Sequence, residues 1–198
     1  MAGRIADGPR LTRAGDGEPG ALPGPGEDVV LSEIVDDDVE AVVALWRECG
    51  LTRPWNDPYR DLADARLGET STVLVGRAVR DLPALRDGAA DSDDAGPGDV
   101  VVRAGEVVAT AMAGVDGHRG WLYYVAVDPR LQGRGTGRAV VVAAEAWLAA
   151  RGARAVRLMV RSTNEAVRGF YERLGYVDQD CVVLGRPLGA PDACDAGR

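Results

Sequence analysis

Apolar residues recur along the chain with two periods, one typical of strands and the other of helices. The segments 29–34 and 121–127 are rich in β-branched and aromatic residues, which favours strands. Between residues 39 and 46 the apolar positions lie three or four apart, which predicts a helix that Asp36 or Asp37 caps and Gly50 ends. The predicted strands are 29–34, 72–75, 100–103, 107–113, 121–127, 155–160, a segment that starts at residue 176, and 181–188.

Three further helices are predicted from start and stop signals. The first opens at Asp57-Pro58 and reaches about residue 67. The second covers 139–151, with Gly152 as its cap, and the third starts at the capping-box sequence 162–165 and ends at Gly175.

Segments 100–103 and 107–113 are predicted to pair as a hairpin around Ala104-Gly105. The predicted elements therefore run in the order one strand, two helices, four strands, a helix, a strand, a helix and two strands. This order indicates an α/β or α+β fold in which helices pack on the faces of a sheet.

Three segments lack apolar periodicity and are rich in Gly, Pro and Asp. They are residues 1–27, 81–99 and 189–198. Such a composition predicts a disordered N-terminal tail, a flexible surface insertion and a C-terminal tail. The folded domain is expected to run from residue 28 to residue 188, with the insertion inside it.

The composition excludes several classes of function. A formal net charge of −8 argues against nucleic-acid binding, which usually requires a basic surface. No run approaches the roughly 18 apolar residues that cross a bilayer, and no secretory signal is visible, so no membrane partner is expected. The three cysteines are too scattered for a disulfide framework or a zinc site. We expect a cytoplasmic protein without a metal.

The segment Gln132 to Gly137 combines a strand, a glycine-rich turn and the start of a helix. Glycines allow a tight turn and close approach of a ligand, and the free N–H groups of the helix start favour an anion such as a pyrophosphate. Arg130, Arg134 and Arg138 add positive charge. A Walker loop is excluded because the chain contains no lysine, and Arg138 stands where a Rossmann fingerprint requires its third glycine.

This segment resembles the pyrophosphate-binding motif of the GNAT superfamily of N-acetyltransferases. Gln132, Gly135 and Gly137 match its defining positions, and residues 164–176 are similar to a second pattern of the family, with Val167 in place of the usual alanine. Residues 53–58 and 116–120 look like the YpeA-like bacterial branch. The resemblance implies the GNAT acyl-CoA N-acyltransferase fold, a mixed, mostly antiparallel central sheet with splayed parallel middle strands and helices on both faces.

The resemblance also implies a site for acetyl-CoA in the wedge between the strands that end at Val127 and Val160. The residues expected to contact this cosubstrate are Val125, Ala126, Val127, Gln132, Gly133, Arg134, Gly135, Thr136, Gly137, Arg138 and Asn164. Asn164 is equally suited to cap the helix that follows it.

Tyr171 is the general acid that the resemblance implies, donating a proton to the departing CoA thiolate. It lies seven residues after Asn164, so the two side chains project from the same face of a helix. Packing beside Phe170 and Leu174 is the alternative role for this tyrosine.

Transfer to an amine also requires a group that accepts the amine proton. The strand 121–127 contains no carboxylate, which leaves Asp116 and His118, just before it, as candidates. Trp55 and Asp57 are candidates for lining the acceptor pocket, although Asp57 is also well placed as a helix cap.

These residues predict direct transfer of an acetyl group from acetyl-CoA to a primary amine of a small molecule or peptide. A non-catalytic acyl-CoA-binding or sensing module, or an acyltransferase that uses a longer acyl-CoA, are the alternatives. Family members are often dimers, so the resemblance also allows a homodimer.

Overall fold

The computed structural model describes residues 28–83 and 100–186 of the 198-residue chain. The predicted tails at 1–27 and 189–198, and residues 84–99 of the predicted insertion, lie outside the described residues.

Seven strands and four helices form the described parts of the chain. The strands are β1 (Val29–Glu33), β2 (Ser71–Ala78), β3 (Leu82–Pro83), β4 (Val100–Val102), β5 (Val107–Val115), β6 (Gly120–Val127) and β7 (Val156–Leu158). The helices are α1 (Val39–Glu48), α2 (Pro58–Arg66), α3 (Thr136–Ala150) and α4 (Glu165–Arg173), with 3-10 turns at Asp36–Asp38 and Pro129–Leu131. All four predicted helices are confirmed, and α3 begins three residues earlier than predicted.

Five strands form the central sheet in the order β1-β2-β5-β6-β7. The first three neighbouring pairs are antiparallel, and β6 and β7 are parallel. Helices α1 and α2 cover one face through a cluster that includes Trp46, Val73 and Ala126. Helices α3 and α4 cover the other face through a cluster that includes Leu122 and Val140. The predicted mixed sheet with helices on both faces is therefore confirmed.

Strand β6 carries an extra residue near its middle. Thr110 pairs with Ala126 and Met112 pairs with Tyr123, so two steps along β5 oppose three steps along β6. Tyr124 adopts a positive φ of 47°, which is rare for residues other than glycine. An extra residue of this kind is a β-bulge, and it reverses the alternation of side chains along the strand. Tyr123 and Tyr124 consequently both face the α1–α2 side of the sheet.

Three side chains hold the bulge in place. The Thr110 hydroxyl donates to the Tyr124 carbonyl oxygen at 3.0 Å and accepts from the Trp46 indole nitrogen at 2.9 Å. The Trp46 ring also stacks on the Tyr124 ring, with 4.0 Å between their centres. Trp46 and Thr110 are fully buried, so neither polar group can exchange its partner for water.

The predicted hairpin of 100–103 with 107–113 is wrong. Strand β4 pairs instead with β3 in a separate two-stranded sheet, while β5 lies between β2 and β6. Because both edges of β5 are already occupied, its backbone groups cannot also pair with the strand that precedes it in the chain.

The predicted closing strands from residue 176 and over 181–188 are absent from the described range, since residues 176–186 form no strand. Val182, Val183 and Leu184 are 86%, 67% and 90% exposed. A strand requires a partner edge as well as a β-branched composition, and this segment makes no ladder with β7. The parallel pair β6–β7 therefore lies at the edge of the described sheet rather than in its middle.

Two helix starts also differ from prediction. Neither Asp36 nor Asp37 begins α1; the Asp38 carboxylate instead accepts from the Val35 backbone N–H at 2.8 Å. At α4 the capping residue is Asn164, not Ser162. A cap requires the right backbone geometry as well as the right side chain, and only the folded chain selects between neighbouring candidates.

We predict that Thr110→Val lowers the free energy of unfolding by about 1–3 kcal/mol, because it leaves a buried indole N–H and a carbonyl without their partner. Urea denaturation monitored by tryptophan fluorescence measures this loss. Thr70→Val, at an exposed threonine, is the matched control. Equal unfolding midpoints for the two variants would contradict the role assigned to Thr110.

Candidate active site

Strands β6 and β7 pair at one end and separate at the other. Their register runs from Gly120 opposite Val156 to Leu122 opposite Leu158, and no pairs follow. Strand β6 continues for five residues to Val127. Its backbone groups beyond Leu122 therefore have no ladder partner on the β7 side, which leaves an edge that an extended ligand could join.

The loop after β6 is built by local hydrogen bonds and two left-handed glycines. The Asp128 carboxylate caps the 3-10 turn by accepting from the Arg130 backbone N–H at 2.8 Å. The Gln132 side-chain amide donates to the Val127 carbonyl at 3.4 Å. Gly133 and Gly135 adopt φ of 82° and 83°, where a side chain would be strained. The loop thus returns the chain to the end of β6 and starts α3 there.

Helix α3 begins without a capping side chain among residues 28–83 and 100–186. Its N-cap residue is Gly135, no side chain bonds to its first turn, and that turn contains no acidic residue. Ala139 is the first residue whose N–H bonds back along the helix, to the Gly135 carbonyl at 3.1 Å. The N–H groups of residues 136–138 are therefore available to an anion, which the helix dipole also favours.

The three arginines near this loop have different surroundings. Arg130 pairs with Asp128 and Glu106. Burial acts to raise the pKa of Asp128, but the hydrogen bonds from Arg130 outweigh it and lower that pKa. Arg134 donates to the Pro83 carbonyl, while its Nε is buried without a partner among the described residues. Arg138 is exposed and forms no ion pair within the described ranges.

Gly137 serves packing rather than backbone conformation. A β-carbon at this position would lie 3.3 Å from the Phe170 ring and 3.5 Å from the Val127 side chain. Glycine therefore allows α4 to pack tightly against the start of α3. The Phe170 ring in turn packs on the ring of Tyr171, the next residue of α4, with 5.0 Å between their centres.

Tyr171 is buried, with 8% of its surface exposed, between the rings of Phe170 and Tyr176. Desolvation raises the pKa of its phenol to about 12. The hydroxyl makes no hydrogen bond within the described part of the chain. At neutral pH the side chain is thus a protonated donor without a protein acceptor.

Asn164 acts as the cap of α4, because its side-chain oxygen accepts from the Val167 backbone N–H at 3.2 Å. Its amide nitrogen has no acceptor among the residues described. The two roles considered for this residue are therefore compatible, since capping uses only the oxygen.

Asp116 and His118 lie in the turn before β6, at the closed end of the β6–β7 pair. The Asp116 carboxylate accepts from the backbone N–H groups of His118 and Arg119 and from the Trp121 indole, at 2.6–2.8 Å. These hydrogen bonds, of which the one from the Arg119 backbone N–H has the largest effect, lower the pKa of Asp116 to about 2. His118 is exposed. The structure does not bring either side chain to the open end of the wedge, and it gives Asp116 the role of organising the turn.

A cleft of about 360 Å³ opens on the α1–α2 face, where the bulge of β6 meets α2. Its lining residues are Asp61, Asp64, Ala65, Ser71, Met112, Ala113, Gly114, Tyr123 and Tyr124. None of these was predicted from the sequence as a site residue. The pair Tyr123-Tyr124 offered the only signal, because two adjacent aromatic residues break the alternation expected of a half-buried strand.

Tyr124 is the most constrained polar side chain of this cleft. Its hydroxyl donates to the Asp61 carboxylate at 2.6 Å. The Asn56 side-chain amide donates to the Tyr124 hydroxyl oxygen at 3.4 Å. Burial, followed by the hydrogen bond to Asp61, raises the pKa of Tyr124. The phenol therefore remains protonated at neutral pH.

The loop between α1 and α2 brings Asn56 to the Tyr124 hydroxyl. The Arg53 guanidinium holds this loop by donating to the carbonyls of Gly50 and Thr52. Asp57 caps α2 by accepting from the backbone N–H of Tyr59 at 3.0 Å, as its cap pattern predicts. Trp55 is 52% exposed on the same loop. Neither Trp55 nor Asp57 lines the cleft.

The site therefore has two halves on opposite sides of β6. The start of α3, without a capping side chain among the described residues, and the protonated phenol of Tyr171 lie on the α3–α4 face. A cleft with a tyrosine–aspartate pair lies on the α1–α2 face. Within residues 28–83 and 100–186, no group of three or more potential ligands is placed to hold a metal ion. No helix in these ranges is long and apolar enough to span a membrane.

Comparison with solved structures shows the same fold in known acetyltransferases. The aminoglycoside N-acetyltransferase AAC(6')-Iy in complex with CoA matches with a TM-score of 0.60 and 15% identity over 84% of this chain and 99% of that chain. A metagenomic aminoglycoside acetyltransferase in complex with sisomicin matches with a TM-score of 0.58 and 13% identity, over 81% of this chain and 97% of that one.

Sequence comparison gives the family. An acetyltransferase of Pectobacterium atrosepticum is 38% identical over 152 residues, which cover 77% of this chain and 90% of that protein. An acetyltransferase of Yersinia pseudotuberculosis is 36% identical over 152 residues, which also cover 77% of this chain and 90% of that protein. The sequence profile of the Acetyltransferase (GNAT) family matches residues 41–176. The chain therefore belongs to the GNAT family of acetyltransferases.

Proposed function

We propose that this protein transfers an acetyl group from acetyl-CoA directly to a primary amine. The observation that carries the proposal is the uncapped start of α3 at the open end of the β6–β7 wedge. A helix start without a capping side chain offers its free N–H groups to an anion, and the wedge offers strand-like backbone groups beside it. Few ligands other than an acyl-CoA combine an extended amide chain with a pyrophosphate.

The residues present fit such a ligand. The backbone of Val125, Ala126 and Val127 would pair with the pantetheine arm, and the side-chain amide of Asn164 would approach the same arm. The loop residues Gln132, Gly133, Arg134, Gly135, Thr136, Gly137 and Arg138 would surround the pyrophosphate. The buried Arg134 Nε supports this assignment because it is a donor without an acceptor in the described structure.

The acceptor amine would enter from the opposite face of the sheet, through the cleft at Tyr124. In direct transfer, the amine nitrogen bonds to the thioester carbonyl carbon, the carbon–sulfur bond breaks, and the thiolate leaves. Tyr171 would supply a proton to this sulfur, because its phenol is protonated and its ring packs on Phe170, which contacts Gly137 at the start of α3. The structures of aminoglycoside acetyltransferases support an acceptor of small-molecule size.

We also propose a cytoplasmic location. The cysteines in the described ranges, Cys49 and Cys181, are free thiols, as is usual in a reducing compartment.

A thiol-release assay with acetyl-CoA tests the proposed activity. The amines are spermidine, lysine methyl ester, an alanine-initiated tripeptide and kanamycin, with succinyl-CoA and propionyl-CoA as alternative donors. We expect amine-dependent release of CoA and an acetylated product by mass spectrometry. Tight binding of acetyl-CoA with no turnover of any amine would instead support a sensing module.

We predict that Tyr171→Phe lowers kcat by about 100-fold or more, because the leaving thiolate loses its proton donor. The dissociation constant for CoA, measured by calorimetry, is expected to stay within twofold. Since the pKa of Tyr171 is raised to about 12, the phenol stays protonated from pH 6 to 10. Wild-type kcat is therefore not expected to fall in this range through loss of the Tyr171 proton. Unchanged kcat in the variant would remove Tyr171 from the mechanism.

We predict that Arg138→Gln weakens CoA binding several-fold and reduces its dependence on salt, because one positive charge near the helix start is lost. Calorimetric titrations at low and high ionic strength measure both effects. Arg154→Gln, which removes an exposed arginine beyond the other end of α3, is the control. Equal CoA affinities for the two variants would exclude an electrostatic contribution from Arg138.

A further inference from the structure

We propose that Tyr124 and Asp61 form a relay that removes the proton from the acceptor amine, with Tyr124 touching the amine and Asp61 receiving the proton through it. This inference rests on the proposed acetyl transfer and names the proton acceptor that the reaction requires. Neither residue was identified from the sequence.

The position of Tyr124 is the first argument. It lies two residues beyond Leu122, the last residue of β6 that pairs with β7, and so at the start of the open wedge. The bulge turns its side chain toward the α1–α2 face, where it lines the cleft. Tyr124 therefore lies where β6 has left its pairing with β7, and its side chain lines the cleft.

The orientation of the hydroxyl is the second argument. A phenol has one proton to donate and two lone pairs that accept. The proton of Tyr124 is directed to Asp61 at 2.6 Å, and Asn56 approaches one lone pair at 3.4 Å. The other lone pair remains for an N–H of the acceptor. Stacking of the ring on Trp46 holds this orientation.

The charges around Tyr124 favour transfer toward Asp61. The titratable or charged groups that face it are Asp61 and Asp64 from α2, Arg53 from the α1–α2 loop, and Tyr123 from β6 itself. Helix α1 and strand β5 contribute the neutral side chains Trp46, Thr110 and Met112. Asp64 is 63% exposed and lies 3.9 Å from Arg60, whereas Asp61 bonds directly to the phenol.

The proton balance of the relay is simple. As the nitrogen–carbon bond forms, the amine nitrogen becomes a much stronger acid than the free ammonium. Its proton passes to the Tyr124 oxygen while the phenolic proton passes to Asp61, so Tyr124 ends the step neutral. The acceptor enters the step as the neutral amine, after its ammonium proton has been released to water. The thiolate that leaves takes its proton from Tyr171. When the product departs, Asp61 returns its proton to water and the Tyr171 phenolate regains one from water.

The test compares Asp61→Asn, Tyr124→Phe and the double variant with the panel amine that shows the highest kcat/KM. We expect each single variant to lower kcat at pH 7 by about 100-fold, and the double variant to be no more than about threefold slower than either. The deficit should shrink as pH rises from 7 to 10, because hydroxide replaces the missing base. Asp61→Glu, which keeps a carboxylate, should recover part of the rate.

A matched pair elsewhere provides the control. The Tyr59 hydroxyl donates to Glu40 at 2.9 Å, away from the cleft, so Tyr59→Phe and Glu40→Gln remove the same kind of hydrogen bond. These variants should keep wild-type kcat, and thermal melts of all variants should show whether any has lost its fold. If Asp61→Glu and Asp61→Asn both unfold, the pH dependence of Tyr124→Phe decides the question.

Two results would overturn the relay. One is a change in kcat of less than threefold in Asp61→Asn and Tyr124→Phe. The other is a rise in KM that does not vary with pH and leaves kcat unchanged, which would make Asp61 a binding group for a cationic acceptor. If the wild type turns over no amine although it binds acetyl-CoA, the proposed function fails, and the relay fails with it.

Discussion

The bulge at Tyr124 is the constraint on which the arrangement of the site depends. Without the extra residue, Tyr124 would face the α3–α4 side with Leu122, and the cleft beside α2 would lose its central hydroxyl. With it, Leu122 and Ala126 contribute to cores on opposite faces of the sheet. The buried hydrogen bonds of Thr110 keep the bulge at this position, because any shift in register would leave polar groups unpaired.

The glycine-rich loop shows that residues of one motif serve different physical purposes. Gly133 and Gly135 permit a left-handed backbone, whereas Gly137 permits close packing of α4. Of the nearby arginines, Arg130 is engaged by carboxylates and Arg134 by a backbone carbonyl. The positive potential near this loop therefore comes from the helix start, Arg134 and Arg138, because carboxylates of the described residues neutralise only Arg130.

The separation of the two half-sites by β6 follows from the same geometry. The parallel pair is held together only at Gly120 to Leu122, so the rest of β6 can contact a donor along one edge and present side chains toward an acceptor. The phenol of Tyr171 and the phenol of Tyr124 then lie on different faces of one strand. This is a suitable arrangement for a reaction in which one proton is supplied and another removed.

The sequence by itself determined the family, the four helices, most strands and the glycine-rich turn that opens α3. These features depend on periodicity, caps and glycines within short segments, so local patterns are sufficient to predict them. The sequence also marked Asn164 and Tyr171 through their spacing on one helix. The positions of Asp57 as a cap and Gly50 and Gly152 as helix ends followed equally from local signals.

Only the tertiary structure decided the strand pairing and the cleft beside Tyr124. The pairing of β4 with β3, and the absence of a strand at 176–186, depend on which sheet edges are available. Asp61 and Tyr124 are 63 residues apart in the chain, and their contact exists because the bulge reverses the face of β6. No local pattern encodes such a contact, since it is the packing of α2 on the sheet that brings the two side chains together.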